Sequence, residues 1–144
     1  MNKQVLQPAD WARAKGYANG VAVKLAQGRQ VFVAGMIGWD GHGRFHSDDL
    51  VGQVRQALLN INAVLAEAGA EPAHIVRMTW YLTDKTEYLL RVREIGAVFR
   101  ELIGDFGIAM TAVQVAALIE DRAKVEIEVT AVIPEAPGPD NSGP

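Results

Sequence analysis

Hydrophobic positions along the chain switch between a two-residue and a helical period, and each switch marks an element. Val21, Val23 and Leu25 alternate with Ala22 and Lys24, "QGR" turns the chain, and Val31 to Ile37 reads as a buried strand. The Asp-Gly pair in "WDGHG" marks a hairpin or loop. Beyond it the period becomes helical. Leu50, Val51, Val54, Ala57, Leu58, Ile61, Val64, Leu65 and Ala68 share a stripe. This predicts a helix with Ser47 as N-cap, Asp48 and Asp49 in its first turn, and Gly69 just past its end.

Alternation returns in "HIVRMTWYL", with Val76, Met78, Trp80 and Leu82 on one face and Arg77, Thr79 and Tyr81 on the other. A second helix, capped by Thr83 or Asp84, carries Tyr88, Leu89, Val92, Ile95, Phe99, Leu102 and Ile103 on one side. "GIAMTAVQVAAL" then reads as a strand with Thr111, Val113, Val115 and Ala117 toward the core, and Met110, Ala112, Gln114 and Ala116 away from it. After a turn at "EDRA", the last strand buries Val125, Ile127, Val129, Ala131 and Ile133 and turns Glu126, Glu128 and Thr130 outward.

The order β-β-α-β-α-β-β predicts an α+β domain: a mixed sheet of about six strands with two helices on one face. Residues 1–133 form this single domain. Residues 134–144 hold four of the six prolines and read as a flexible extended tail. Two helices cover one side of such a sheet. The uncovered side then carries Arg77, Thr79, Tyr81, Met110, Ala112, Gln114, Glu126, Glu128 and Thr130. A face of small residues and few charges points to a seam between copies of the chain, where clefts favour ligands. The plain alternative is a solvated antiparallel face.

Composition narrows the chemistry. With 144 residues, a net charge of −3 and no cluster of Lys or Arg, the chain lacks the footprint of a nucleic-acid binder. It has no cysteine, which excludes a disulfide framework, a thiol nucleophile and thiolate metal ligands. "MNKQVLQPADWARAKG" lacks the apolar stretch of a signal peptide, and no apolar run approaches the roughly 18 residues of a membrane span. The expectation is a cytoplasmic protein with no membrane partner. His42 and His46 stand at i, i+4, but in a glycine-rich loop with no third ligand, so no metal site is expected. Trp39 and Asp40 in that loop either shape a cleft mouth or are surface turn residues.

Five segments in order carry a resemblance. "GYANGV" is similar to a Pro-Tyr-Ser-Gln-Ala-Val segment, and "VFVAGMIGWD" to a Val-Ser-Gly-Gln strand and loop. "QVRQALLNINAVLAEAGA" is similar to a first helix in which a Gln and an Asn recur in the same places. "IVRMTWYLTD" resembles Val-Lys-Val-Thr-Val-Phe-Leu-Thr-Asp, and "VAAL" with "KVEIEVTAV" a final hairpin. Together, from about Gly16 to Ile133, they resemble the RidA family, also called YjgF or reactive intermediate deaminases.

The resemblance implies a homotrimer with three clefts between subunits. It also implies hydrolysis of reactive 2-imino or enamine acids to 2-oxo acids and ammonia, without metal or organic cofactor. It places Tyr17 at the family's pocket tyrosine, Gly35 at its backbone-exposing glycine and Glu126 at the glutamate that holds water. Ala112 joins the expected cleft as a neighbour on the "GIAMTAV" strand. The family's Pro-Ala-Arg-Ser arginine is absent: "GIAMTAV" puts Met110 there. "RVREIGAVF" likewise puts Arg93 and Gly96 where many relatives have Asn and Tyr. An arginine grips a carboxylate through a bidentate fork, whereas methionine offers polarizable apolar surface.

The expected function is therefore hydrolase or deaminase-type chemistry on an imine, enamine or related carbonyl compound other than a small 2-imino acid. Glu126 would orient water, and Tyr17, Gly35, Met110 and Ala112 would bind substrate. The residues leave alternatives open. Glu126 and Glu128 read equally as solvated carboxylates or partners of Arg77, Tyr17 as a packing tyrosine, and Met110 as subunit packing. A non-catalytic small-molecule-binding trimer is the rival function. An RNA-acting translation inhibitor is a further one, which the acidic balance opposes.

Overall fold

Six strands pair in the order β1-β2-β3-β6-β4-β5 in the computed structural model, which describes residues 3–15 and 17–135. The strands are β1 Lys3–Leu6, β2 Gly20–Leu25, β3 Gly28–Ile37, β4 Ile75–Leu82, β5 Ala109–Gln114 and β6 Val125–Pro134. All neighbours are antiparallel except β4 and β5, which run parallel. The helices are α1 Leu50–Glu67, α2 Lys85–Leu90 and α3 Val92–Leu102. The α+β architecture is as expected. The sixth strand is β1, whose "KQVL" is too short to show a period; only Leu6 in it is buried. The tail from Ala136 onward lies outside the described residues, and Pro134 ends β6.

The core lies between the sheet and α1. Val54, Ala57, Leu58, Ile61, Val64 and Leu65 of the helical stripe are sealed from water against Val31, Val129 and Ala131. Burying one such aliphatic side chain contributes about 1.5–3 kcal/mol, so this stripe sets where α1 lies. Its cap is Asp49 rather than Ser47. The Asp49 carboxylate accepts from the Val51 and Gly52 amides at 3.2 and 3.3 Å, and Arg91 grips the same carboxylate at 2.6 Å. Ser47 sits outside the helix, its hydroxyl accepting from the Asp49 amide at 3.0 Å. Gly69, with φ +72°, follows the helix as expected.

The second helix is two. Asp84 caps α2 through the Thr86 and Glu87 amides, and the chain breaks at Arg91, φ −107° and ψ 11°. The break turns Leu89 and Val92 outward, 62% and 45% exposed, while Ile95, Val98 and Ile103 enter the core. Trp80, also in the core, packs against Tyr88 and Phe99.

Two bulges correct the alternation. Three steps along β3 from Val33 to Met36 match two along β6. The extra residue lets Val33 and Met36 both face the core, with Ala34 and Gly35 between them. In β4 the extra residue is Val76. Ile75 takes the core position, and Val76, expected inside, is 46% exposed.

The largest correction concerns β5. Its six residues are all exposed, so Thr111 and Val113 are not core. The parallel pairing aligns Met110 with Met78 and Ala112 with Trp80. Aligned residues share a face, so Met110 and Ala112 lie on the helix-bearing side at the sheet edge. Gln114 confirms this, accepting from the Lys85 amide at the start of α2 at 2.8 Å. Thr111 and Val113, aligned with Thr79 and Tyr81, take the open face instead. The "GIAMTAV" alternation was sound and its facing was inverted, because facing depends on pairing with β4, which the strand's own residues do not record.

Candidate functional site

The open face is built from rows of side chains crossing four strands. One row runs from Phe32 through Thr130 to Arg77, a second joins Glu128, Thr79 and Thr111, and a third joins Ile37, Glu126, Tyr81 and Val113. Glu126 and Glu128 are on this face because the helix-facing positions of β6 go to Val125, Ile127 and Val129.

Gly35 and Glu126, both expected at the site, meet here. A methyl group on Gly35 would stand 2.8 Å from the Glu126 carboxyl carbon, so the bulge and the missing side chain make room for the carboxylate. Glu126 is half-buried. Withdrawal from water, and then the charge of Glu128, push its pKa above the ordinary carboxylate value. A raised pKa suits a group that takes and returns protons near neutral pH.

Glu128 is engaged differently. The Tyr81 hydroxyl donates to its Oε1 at 2.7 Å. This hydrogen bond to Glu128 is the chief reason the Tyr81 pKa rises above 10, with burial and the charges of Glu128 and Glu126 adding to it. Alternation puts Tyr81 on the open face but gives it no partner. The signal that finds it is the antiparallel register setting it opposite Glu126, which needs the β4–β6 pairing.

A hollow of about 310 Å³ opens on the same face, lined among others by Ala18, Phe32, Arg77, Thr79 and Glu128. Tyr17 precedes Ala18, and the segment is tied to β3 by the Ala34 amide, which donates to the Asn19 carbonyl at 2.8 Å. Tyr17 itself is 61% exposed. Met110 and Ala112 lie on the opposite side of the sheet from Glu126 within one chain, so the structure does not bring the five expected site residues together in one protomer.

Two buried polar residues of α1 hold the frame. Gln53, sealed from water, donates to the Ser47 and Arg122 carbonyls at 3.1 and 2.9 Å and accepts from the Lys124 amide at 2.8 Å. This fixes the start of β6, two residues before Glu126. Asn60 donates to the Ile37 and Trp39 carbonyls at 3.2 and 2.7 Å and fixes the end of β3. Beyond it the "WDGHG" loop closes as expected. Asp40 accepts from the His42 and Arg44 amides at 2.9 and 3.0 Å and bonds His46 at 2.7 Å. The bond to His46 first, then the two amides, holds the Asp40 pKa down at about 2.

Comparison with known proteins adds a family. A model described as endoribonuclease L-PSP matches residues 9–133. The chain is 32% identical to the 2-iminobutanoate/2-iminopropanoate deaminase of Salmonella typhimurium over 116 residues, 81% of this chain and 86% of that protein. It superposes with TM-score 0.70 and 33% identity on a Mycobacterium tuberculosis member of the YjgF/YER057c/UK114 family, covering 92% of this chain and all of the other. Escherichia coli TdcF, solved with bound serine, matches with TM-score 0.72 and 28% identity over 90% of this chain and 98% of its own. Family model, relatives and fold agree, and the chain belongs to the RidA/YjgF family.

Proposed function

We propose that this chain is a cofactor-free hydrolase of imines, enamines or related carbonyl compounds, acting as a homotrimer with its clefts between subunits. The observation that carries the reading is Glu126, half-withdrawn from water beside Gly35, its pKa raised by burial and by Glu128. As a carboxylate it accepts a proton from a water molecule whose oxygen adds to the imine carbon. The C=N electron pair moves to nitrogen, which takes that proton back from Glu126; the carbinolamine hydroxyl proton then passes to nitrogen as the C–N bond breaks, leaving a carbonyl and ammonia. Deaminase relatives such as the Salmonella protein support this class of chemistry.

Met110, in place of an arginine, supports a substrate that is not held by its carboxylate. It lies at the sheet edge, half exposed, where a neighbouring subunit would turn it toward that subunit's cleft. Apolar residues bare on the open face, Val5 at 59%, Phe32 at 43% and Val113 at 41%, support association through that face. Tyr17 and Ala112 complete the proposed binding residues.

The test is ammonia release from freshly generated imines, one set bearing a 2-carboxylate and one uncharged, with sedimentation to establish the assembly. The expected result is turnover favouring the uncharged set, lowered about 100-fold by Glu126→Gln, in a species of three chains. Turnover indifferent to Glu126→Gln overturns the catalytic role. Tight retention of the compounds without ammonia release replaces it with a binding function.

A further inference from the structure

We propose that Tyr81 is a positioning residue: its hydroxyl holds the Glu128 carboxylate beside Glu126 and leaves Glu126 as the carboxylate free to act on water. The inference deepens the hydrolase reading and rests on it for the role of Glu126.

Two carboxylates two residues apart on one face of β6 would by themselves be interchangeable bases. The cross-strand geometry makes them unequal. Tyr81 stands directly opposite Glu126, yet its hydroxyl bonds Glu128, the glutamate opposite Thr79. The bond is therefore diagonal and draws the Glu128 carboxylate along the sheet toward the row that holds Glu126. One Glu128 oxygen is occupied by the hydroxyl, whereas Glu126 has the open space above Gly35.

The raised Tyr81 pKa keeps the hydroxyl protonated, and so a donor, throughout the neutral range. The charge of Glu128 held nearby then adds to burial in raising the Glu126 pKa. Of the titratable and charged groups on this part of the face, β4 supplies Tyr81 and Arg77 and β6 supplies Glu128. The facing positions Gly35 and Ile37 of β3, and Thr111 and Val113 of β5, carry no charge. Arg77 stands one row further on, opposite Thr130.

Tyr81→Phe keeps the ring and deletes only the hydroxyl. Without it the Glu128 side chain is no longer held along the sheet and swings away from Glu126. The experiment follows the Glu126 carboxyl by site-resolved carbon NMR titration of the full chain, in wild type, Tyr81→Phe and Glu128→Gln. The expected result is a Glu126 titration moved down in both variants. A second reading is the ultraviolet titration of Tyr81, expected to move down in Glu128→Gln.

A Glu126 titration lowered by Glu128→Gln but untouched by Tyr81→Phe overturns the positioning role. No movement in either variant overturns the coupling of the two carboxylates, and an unmoved Tyr81 titration overturns the hydrogen bond. None of these readings needs a substrate. A catalytically silent Glu126→Gln would strike the hydrolase reading and leave the carboxylate coupling standing. Where turnover is found, the acid limb of its pH–rate profile moves with the Glu126 titration.

Discussion

Replacing Gln53 with methionine tests how β6 is held. The two side chains are unbranched and similar in volume, so packing is nearly conserved while three hydrogen bonds to the main chain vanish. The Lys124 amide loses its acceptor and the Ser47 and Arg122 carbonyls lose their donor. Each orphaned group costs about 1–3 kcal/mol when buried. Arg122 is exposed and Ser47 only half-buried, so these two carbonyls fall toward the low end. Methionine also gains somewhat from burial in a fully sealed position. The sum is a loss of about 2–4 kcal/mol, a large share of the roughly 5–15 kcal/mol that holds a domain. For a chain of this size the midpoint of thermal unfolding falls by about 4–16 °C. Urea unfolding followed by tryptophan fluorescence measures it. A loss below about 0.5 kcal/mol would refute the view that Gln53 anchors the start of β6, since among the described residues no other side chain is bonded to the Lys124 amide.

Other outcomes follow from the same geometry. Gly35→Ala drives a methyl group into the Glu126 carboxyl, so Glu126 is displaced toward water and titrates lower; an unchanged NMR titration would contradict the close approach. The Glu126 pKa is raised on folding, so the chain loses stability as pH rises from the unfolded carboxylate value through the folded one. Glu126→Gln is accordingly more stable than wild type at neutral pH, with the advantage gone below about pH 4, as denaturation at pH 7 and pH 3.5 will show. Asp40 is the opposite case. Its contribution is present above 3.8 and lost as pH falls toward about 2, so the stability gap between wild type and Asp40→Asn narrows over that range. Asp49→Ala removes the α1 cap and one partner of Arg91, at a cost of about 1–2 kcal/mol in urea unfolding.

The periodic residues made most of this architecture legible. The stripe from Leu50 to Leu65 and the alternation of Val125, Ile127 and Val129 report burial directly, because each position repeats the same environment. What escaped were features set by another part of the chain. Val76 is expelled by a bulge that exists only in register with β6, and Met110 and Ala112 change sides because the register with β4 aligns them with Met78 and Trp80. Asp49 displaced Ser47 as the cap with Arg91, far away in sequence, gripping its carboxylate. Within the candidate site, the contact between Gly35 and Glu126 depends on the β3 bulge and the pairing with β6, which neither segment records alone. The role of Tyr81 is not legible in its own strand because it depends on which strand lies beside it.

Strand β5 ends the sheet with six uncharged residues, none buried, and one edge whose amides and carbonyls have no partner strand among the described residues. Natural sheets blunt such edges with lysine, proline or a bulge, and "AMTAVQ" has none of these. Its cover has to come from outside the strand. Under the proposed trimeric assembly, dissociation and aggregation become one hazard: dilution that bares this edge would create a template for adventitious strand pairing, and solubility would be a property of the assembled particle.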